Sequence, residues 1–103
     1  MLKSKWSDVS PHIVAGKLKR GERLVIVDVR ESVEWRSGHI PGAKHIPLGQ
    51  LPERLGEIDP RTETIIVCQS GGRSSRACDY LARMGYKVVN MKGGMSAWGG
   101  VTE

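Results

Sequence analysis

The sequence predicts an α/β domain with a parallel central sheet flanked by helices on both faces, and three observations carry that prediction. Residues 24–29 (Leu-Val-Ile-Val-Asp-Val) and 64–67 (Thr-Ile-Ile-Val) are nearly unbroken apolar runs. They lack the in-out alternation of a half-exposed strand and suit strands covered on both sides, as in parallel sheets. Segments of helical spacing alternate with these runs, which is the pattern of strand–helix–strand units. Finally, much of the glycine (13 residues) falls in pairs or beside proline, marking tight loops between the elements.

Taken in chain order, Ser10-Pro11 reads as an N-cap and first helical residue. Ile13, Val14, Lys17 and Leu18 follow at helical spacing, and Gly21 closes the helix. The 24–29 strand comes next, then a short helix over 31–36 stopped by Gly38. Residues 38–43 are loop, and His45-Ile46-Pro47 forms a brief strand. A second short helix is expected over 51–55, ending at Gly56. The 64–67 strand delivers Cys68 at its C-terminal end, and six residues, Cys68-Gln69-Ser70-Gly71-Gly72-Arg73, lead to a helix over 74–84. Ala77, Cys78, Leu81 and Ala82 give that helix an apolar stripe, and Gly85 ends it. Residues 87–90 make a further strand, and Gly93-Gly94 opens a last turn through Trp98.

A length of 103 residues holds one core, so 1–103 is read as a single domain. Hydrophobic residues at 39% and charged residues at 26% give an ordinary globular balance. Phe is absent, leaving Trp6, Trp35, Trp98, Tyr80 and Tyr86 to supply aromatic packing. The net charge of +5 comes from scattered Lys and Arg, and the densest stretch, 17–23, is interrupted by Glu22. That distribution favours an anion-friendly surface over a nucleic-acid face. The start, Met1-Leu2-Lys3-Ser4-Lys5, is basic but leads into no signal-peptide run, and no stretch approaches a membrane span of roughly 20 apolar residues. Neither nucleic acid nor membrane is expected as a partner. Two cysteines, Cys68 and Cys78, are too few for a disulfide scaffold, so free thiols in a reducing cytoplasm are the expectation.

Chemistry concentrates on one loop. In parallel α/β sheets ligands sit beyond the strand C-termini, where Cys68 lies. A helix start supplies unpaired backbone N–H groups and a positive dipole end, which favour thiolate over thiol. Gly71 and Gly72 permit positive φ, so several loop amides can point inward. Arg73 adds a fixed positive charge, and Ser74 is a plausible N-cap. The product is an anion cradle with a nucleophile at its base. On this loop alone, an inert buried cysteine remains an open alternative.

Four motifs together resemble the rhodanese family over residues 9–98. They are Asp28-Val29-Arg30, then Glu34-Trp35-x-x-Gly38-His39-Ile40-Pro41-Gly42-Ala43, the Cys68-to-Arg73 loop, and Gly85-Tyr86 followed by Met91-x-Gly93-Gly94-Met95-x-x-Trp98. The resemblance implies a rhodanese-like domain and a sulfurtransferase in which Cys68 alternates between thiolate and persulfide. Cys68 would attack the sulfane sulfur of a donor such as thiosulfate, releasing sulfite. The outer sulfur would then pass to cyanide, glutathione, a dithiol or the cysteine of an acceptor protein. Gln69, Ser70, Gly71, Gly72 and Arg73 would bind the substrate and stabilise its charge, with no metal or organic cofactor required. Two departures bear on the donor. Gln69 is neutral where many thiosulfate-using members carry a basic residue. Glu34 stands where two-domain members resemble one another in a substrate-facing arginine. Both open the donor to organic persulfides or proteins.

Rival readings weigh less. Phosphatases and arsenate reductases need five residues between Cys and Arg, whereas only four, Gln69 to Gly72, intervene here. A non-catalytic module tends to lose the cysteine that this chain keeps; a sulfur relay feeding a protein stays open. Asp28 and Arg30 are expected to tie loops together rather than touch substrate. His39 lacks partners at metal-ligand spacing and is read as structural, and His12 and His45 as surface or packing residues. Cys78 is read as a packing thiol in preference to a resolving one. Trp35 and Trp98 are read as packing. Glu34 lies either at the pocket mouth or on a solvated surface.

Overall fold

The central strand of this protein is buried along its whole length, and the fold is organised around it. In the computed structural model, which describes residues 6–103, strand β4 is preceded by β1 (Ser7–Val9), α1 (Pro11–Lys19), β2 (Val25–Asp28), α2 (Ser32–Arg36) and β3 (Lys44–His45). Strand β4 itself spans Thr64–Val67 and is followed by α3 (Gly72–Arg83) and β5 (Val88–Met91). The basic start at residues 1–5 lies outside the described residues. All strand pairings are parallel, in the order β1-β5-β4-β2-β3. Pairing of Val25–Asp28 with Thr64–Val67 sets the two apolar runs side by side in register.

Period-two geometry then divides their side chains between two cores. Val27, Val29, Ile66 and Cys68 face the layer formed by Ala77, Cys78 and Leu81 of α3. Ile26, Ile65 and Val67 face the layer that holds Val14 of α1, Ile40 and Met91. Helices cover both faces, as the unbroken runs predicted. Ser10 caps α1 as expected, its Oγ accepting from the Ile13 N–H at 3.1 Å. No helix among the described residues is long and apolar enough to cross a membrane.

The structure departs from the sequence expectations at several elements. Strand β1 was not anticipated; it has only three residues, one of them apolar, and exists because β5 accepts it at the sheet edge. The expected helix over 51–55 is instead a pair of 3₁₀ segments, Leu48–Glu53 and Leu55–Glu57, with Pro52 inside the first and Leu51 as its buried anchor. Pro52 has no N–H to donate, and so short a span does not support an α-helical nucleus. Strand β5 is displaced by one residue from the expected 87–90. Helix α3 begins at Gly72, two residues earlier than expected, so Gly72 and Arg73 belong to its first turn rather than to the loop. The cap position is Gly71, at φ 108°, and not Ser74. The Gly71 carbonyl accepts from the Ser75 N–H at 3.1 Å and the Ser75 hydroxyl at 2.7 Å, which fixes the start of the helix there.

Candidate active site

The site is a four-residue turn between a buried strand and a helix N-terminus. Strand β4 ends at Val67, whose carbonyl accepts from the Val29 N–H at 2.8 Å, and the chain then turns with Cys68 facing into the α3 side of the core. Gly71 in the left-handed region points its N–H back at the sulfur, 3.0 Å from Cys68 Sγ. A residue with a Cβ would be strained there. The Ser74 hydroxyl lies 3.2 Å from the same sulfur and 3.2 Å from the Gly71 carbonyl.

That hydroxyl has one proton and two places for it. When Cys68 is a thiol, its S–H donates to Ser74 Oγ and the hydroxyl proton goes to the Gly71 carbonyl. When Cys68 is a thiolate, the hydroxyl turns to the sulfur. Burial pushes the Cys68 thiol up, since only 1% of the residue is exposed. Hydrogen bonds from the Ser74 hydroxyl and from the Ser74, Gly71 and Ser70 amides outweigh burial, and the net pKa falls below the ordinary thiol value.

The loop's outer side is held by the closing glycine motif. Gly93 and Gly94 lead into a 3₁₀ turn, Gly94–Ala97, whose Met95 and Ser96 amides donate to the carbonyls of Cys68 (2.8 Å) and Gln69 (2.9 Å). Gly94 sits at φ 59°, and a Cβ built there would run into the Cys68 carbonyl and the Gln69 backbone. The motif therefore lets two backbones touch.

Asp28 and Arg30, both buried, act as the expected loop tie. Arg30 donates to Asp28 through Nε and Nη2, to the Gly38 carbonyl at 2.8 Å and to Gln69 Oε1 at 3.2 Å. The Gln69 amide in turn donates to Ser96 Oγ at 3.2 Å. Beneath α2, the Trp35 ring stacks on His39 and His45, with centroids at 3.5 and 4.7 Å. His39 Nδ1 donates to the Trp35 carbonyl, and His45 Nε2 to the Arg30 carbonyl at 2.7 Å. Both rings are thus tied to backbone carbonyls and packed against Trp35. His45 holds more than its lone position in the sequence suggested.

The five residues expected to bind substrate thus separate. Ser70 and Gly71 turn amides toward the sulfur, while the Gln69 side chain is tied to Arg30 and Ser96. Gly72 is the first residue of α3. Arg73 departs furthest from expectation. Its Nη1 and Nη2 each lie 2.7 Å from a Glu34 carboxylate oxygen, so its charge is engaged by Glu34 rather than given wholly to Cys68. Hydrogen bonding to Arg73 holds the Glu34 carboxyl down at about 2, against the lesser opposing effect of burial. Glu34 is accordingly a residue of the loop's surroundings. Cys78, fully buried on the α3 stripe, has its thiol pushed up to about 12, first by burial and then by the negative charges of Asp79 and Asp8. Sequence reasoning missed Ser74 as a sulfur partner. The signal was present, since a serine in the first turn after such a loop can reach back to it.

The family model described as Rhodanese-like domain matches residues 10–100. The chain is 41% identical to "Putative sulfurtransferase YtwF" of Bacillus subtilis, over 93% of each chain. It is 36% identical to a protein named "Sulfurtransferase" of Allochromatium vinosum, over 89% of this chain and 87% of that one. Its structure superposes on the crystal structure of a rhodanese-like domain protein from Staphylococcus aureus with a TM-score of 0.89 at 36% identity. The match covers 94% of this chain and 96% of that one.

Proposed function

The chain belongs to the rhodanese-like domain family, and from that premise we propose that it is a sulfurtransferase working through a persulfide on Cys68. One observation carries the proposal: a buried sulfur that accepts hydrogen bonds at the N-terminus of α3, with its pKa lowered despite burial.

In the first half-reaction the Cys68 thiolate attacks the outer sulfur of a sulfane donor such as thiosulfate. An S–S bond forms to Cys68 as the donor's S–S bond breaks, and sulfite leaves with the electron pair. The negative charge moves from Sγ to the outer sulfur, where backbone amides at the helix start offset it. In the second half-reaction a thiolate or cyanide attacks that outer sulfur, and Cys68 departs as thiolate. A low pKa suits both roles, since it keeps the nucleophile ionised and makes it a good leaving group. Electrons balance in each step without an external oxidant. The acceptor is a small thiol, cyanide or the cysteine of a partner protein.

The arrangement of Arg73 supports sulfur chemistry over phosphoryl chemistry. A phosphate ring needs an arginine aimed at a tetrahedral oxyanion, whereas Arg73 is paired with Glu34. The test is intact mass after exposure to thiosulfate. Wild type should gain one sulfur atom and lose it again on adding cyanide, and Cys68→Ser should gain none while keeping its circular dichroism. Loading of sulfur onto Cys68→Ser, or no loading of wild type by any sulfane donor, would remove the assignment.

A further inference from the structure

The positive charge that follows the sulfur loop is already taken by a carboxylate, and that carboxylate is held in place twice. Glu34 meets both Arg73 Nη atoms at 2.7 Å, and its Oε1 also accepts from the Glu31 N–H at 3.0 Å as part of the first turn of α2. Neither side chain is buried; Arg73 is 33% and Glu34 30% exposed. The pair is therefore partly open to solvent, with Arg73 in the first turn of α3, the turn that faces Cys68. Arg73 senses Cys68 electrostatically, but less than it senses Glu34. An approaching anion consequently meets an ion pair of about zero net charge instead of a free guanidinium.

Resting on the sulfurtransferase reading, we propose that Glu34 is a specificity-determining residue that disfavours dianionic sulfur donors such as thiosulfate relative to donors carrying one negative charge or none. The physical basis is that a fixed charge acts on a ligand in proportion to the ligand's own charge. Glu34 supplies the repulsive half of the discrimination. Whatever factor its charge imposes on a monoanion, it imposes the square of that factor on a dianion.

Thiosulfate and methanethiosulfonate test this directly. Each offers a terminal sulfur to Cys68, and a methyl group in the second replaces one charged oxygen of the first. Attack on methanethiosulfonate forms the same Cys68 persulfide and releases methanesulfinate with the electron pair. Glu34→Gln removes the charge while keeping an oxygen that can accept from the Glu31 N–H. Single-turnover loading should improve about tenfold for thiosulfate and about threefold for methanethiosulfonate, as expected for one partly solvent-screened charge near the reacting sulfur. The gain should shrink as salt is added. Glu34→Ala, which also loses the cap, should shift the ratio of the two donors in the same direction. Equal changes for both donors, or none, would overturn the proposal, because a purely structural role moves both alike. If wild type is loaded by neither donor, it is the sulfurtransferase reading that falls.

Discussion

Cys68 and Cys78 carry opposite thiol pKa shifts inside one hydrophobic layer. Both belong to the core cluster between the sheet and α3, and neither is more than 1% exposed. Yet the Cys68 thiol is lowered from its ordinary pKa, while that of Cys78 is pushed up to about 12. Burial acts in the same direction on both. What differs is the supply of free donors. Cys68 lies where α3 begins, with N–H groups not yet used by the helix. Cys78 lies in the middle of α3, where the backbone is already paired along the helix. Among thiols buried alike, unpaired donors and not exposure decide which one is shifted toward thiolate.

The comparison is broken most severely by displacing the loop that holds those donors. Gly94→Ala forces a side chain against the Cys68 carbonyl and the Gln69 backbone at a left-handed position. Sulfur loading should fall on the order of a hundredfold, the cost of moving a reacting group by about 1 Å. Thermal unfolding should show a loss of about 1–3 kcal/mol. Loading within twofold of wild type would mean that the closing turn does not position the sulfur.

A milder test removes one donor. Ser74→Ala deletes the hydroxyl 3.2 Å from the sulfur and should raise the thiol pKa toward its ordinary value. Raising the pKa reduces the thiolate fraction at neutral pH, so alkylation and loading there should slow about tenfold, as for loss of a hydrogen bond to a charged group. In wild type the alkylation rate should climb with pH and level off below the range of a free cysteine. In the variant the same curve should move to higher pH and reach a similar plateau. Glu34, held at about 2, stays ionised throughout and contributes no inflection. Coincident curves would assign the lowered pKa to backbone amides alone.

The smallest effect is expected on the other side of the comparison. Cys78→Ala removes a buried sulfur from the α3 stripe and should cost on the order of 1 kcal/mol in denaturant unfolding, with loading within about twofold of wild type. A large loss of turnover with the fold preserved would make Cys78 a resolving thiol and erase the contrast.

Much of the site was legible because its parts are local. An apolar run without alternation specifies a strand buried on both faces, and the residue at its end inherits the mouth of a parallel sheet; that places Cys68 but leaves its role open. A glycine in the turn and an apolar stripe after it specify the helix whose N-terminus faces the sulfur. The Gly93-Gly94 pair was visible as a motif, though not what it does. Other features depend on groups brought together from far apart in the chain. Strand β1 is a strand only because β5 offers an edge. Arg73 was expected to serve Cys68, but α2 places Glu34 across from it, 39 residues away in sequence, and a bidentate carboxylate fixes its direction. Gly94 must be glycine because folding brings its backbone onto that of Cys68. Periodicity and turn chemistry record what each segment buries and where it bends. Which donor meets which acceptor between segments is set by packing, because those distances exist only once the layers have closed.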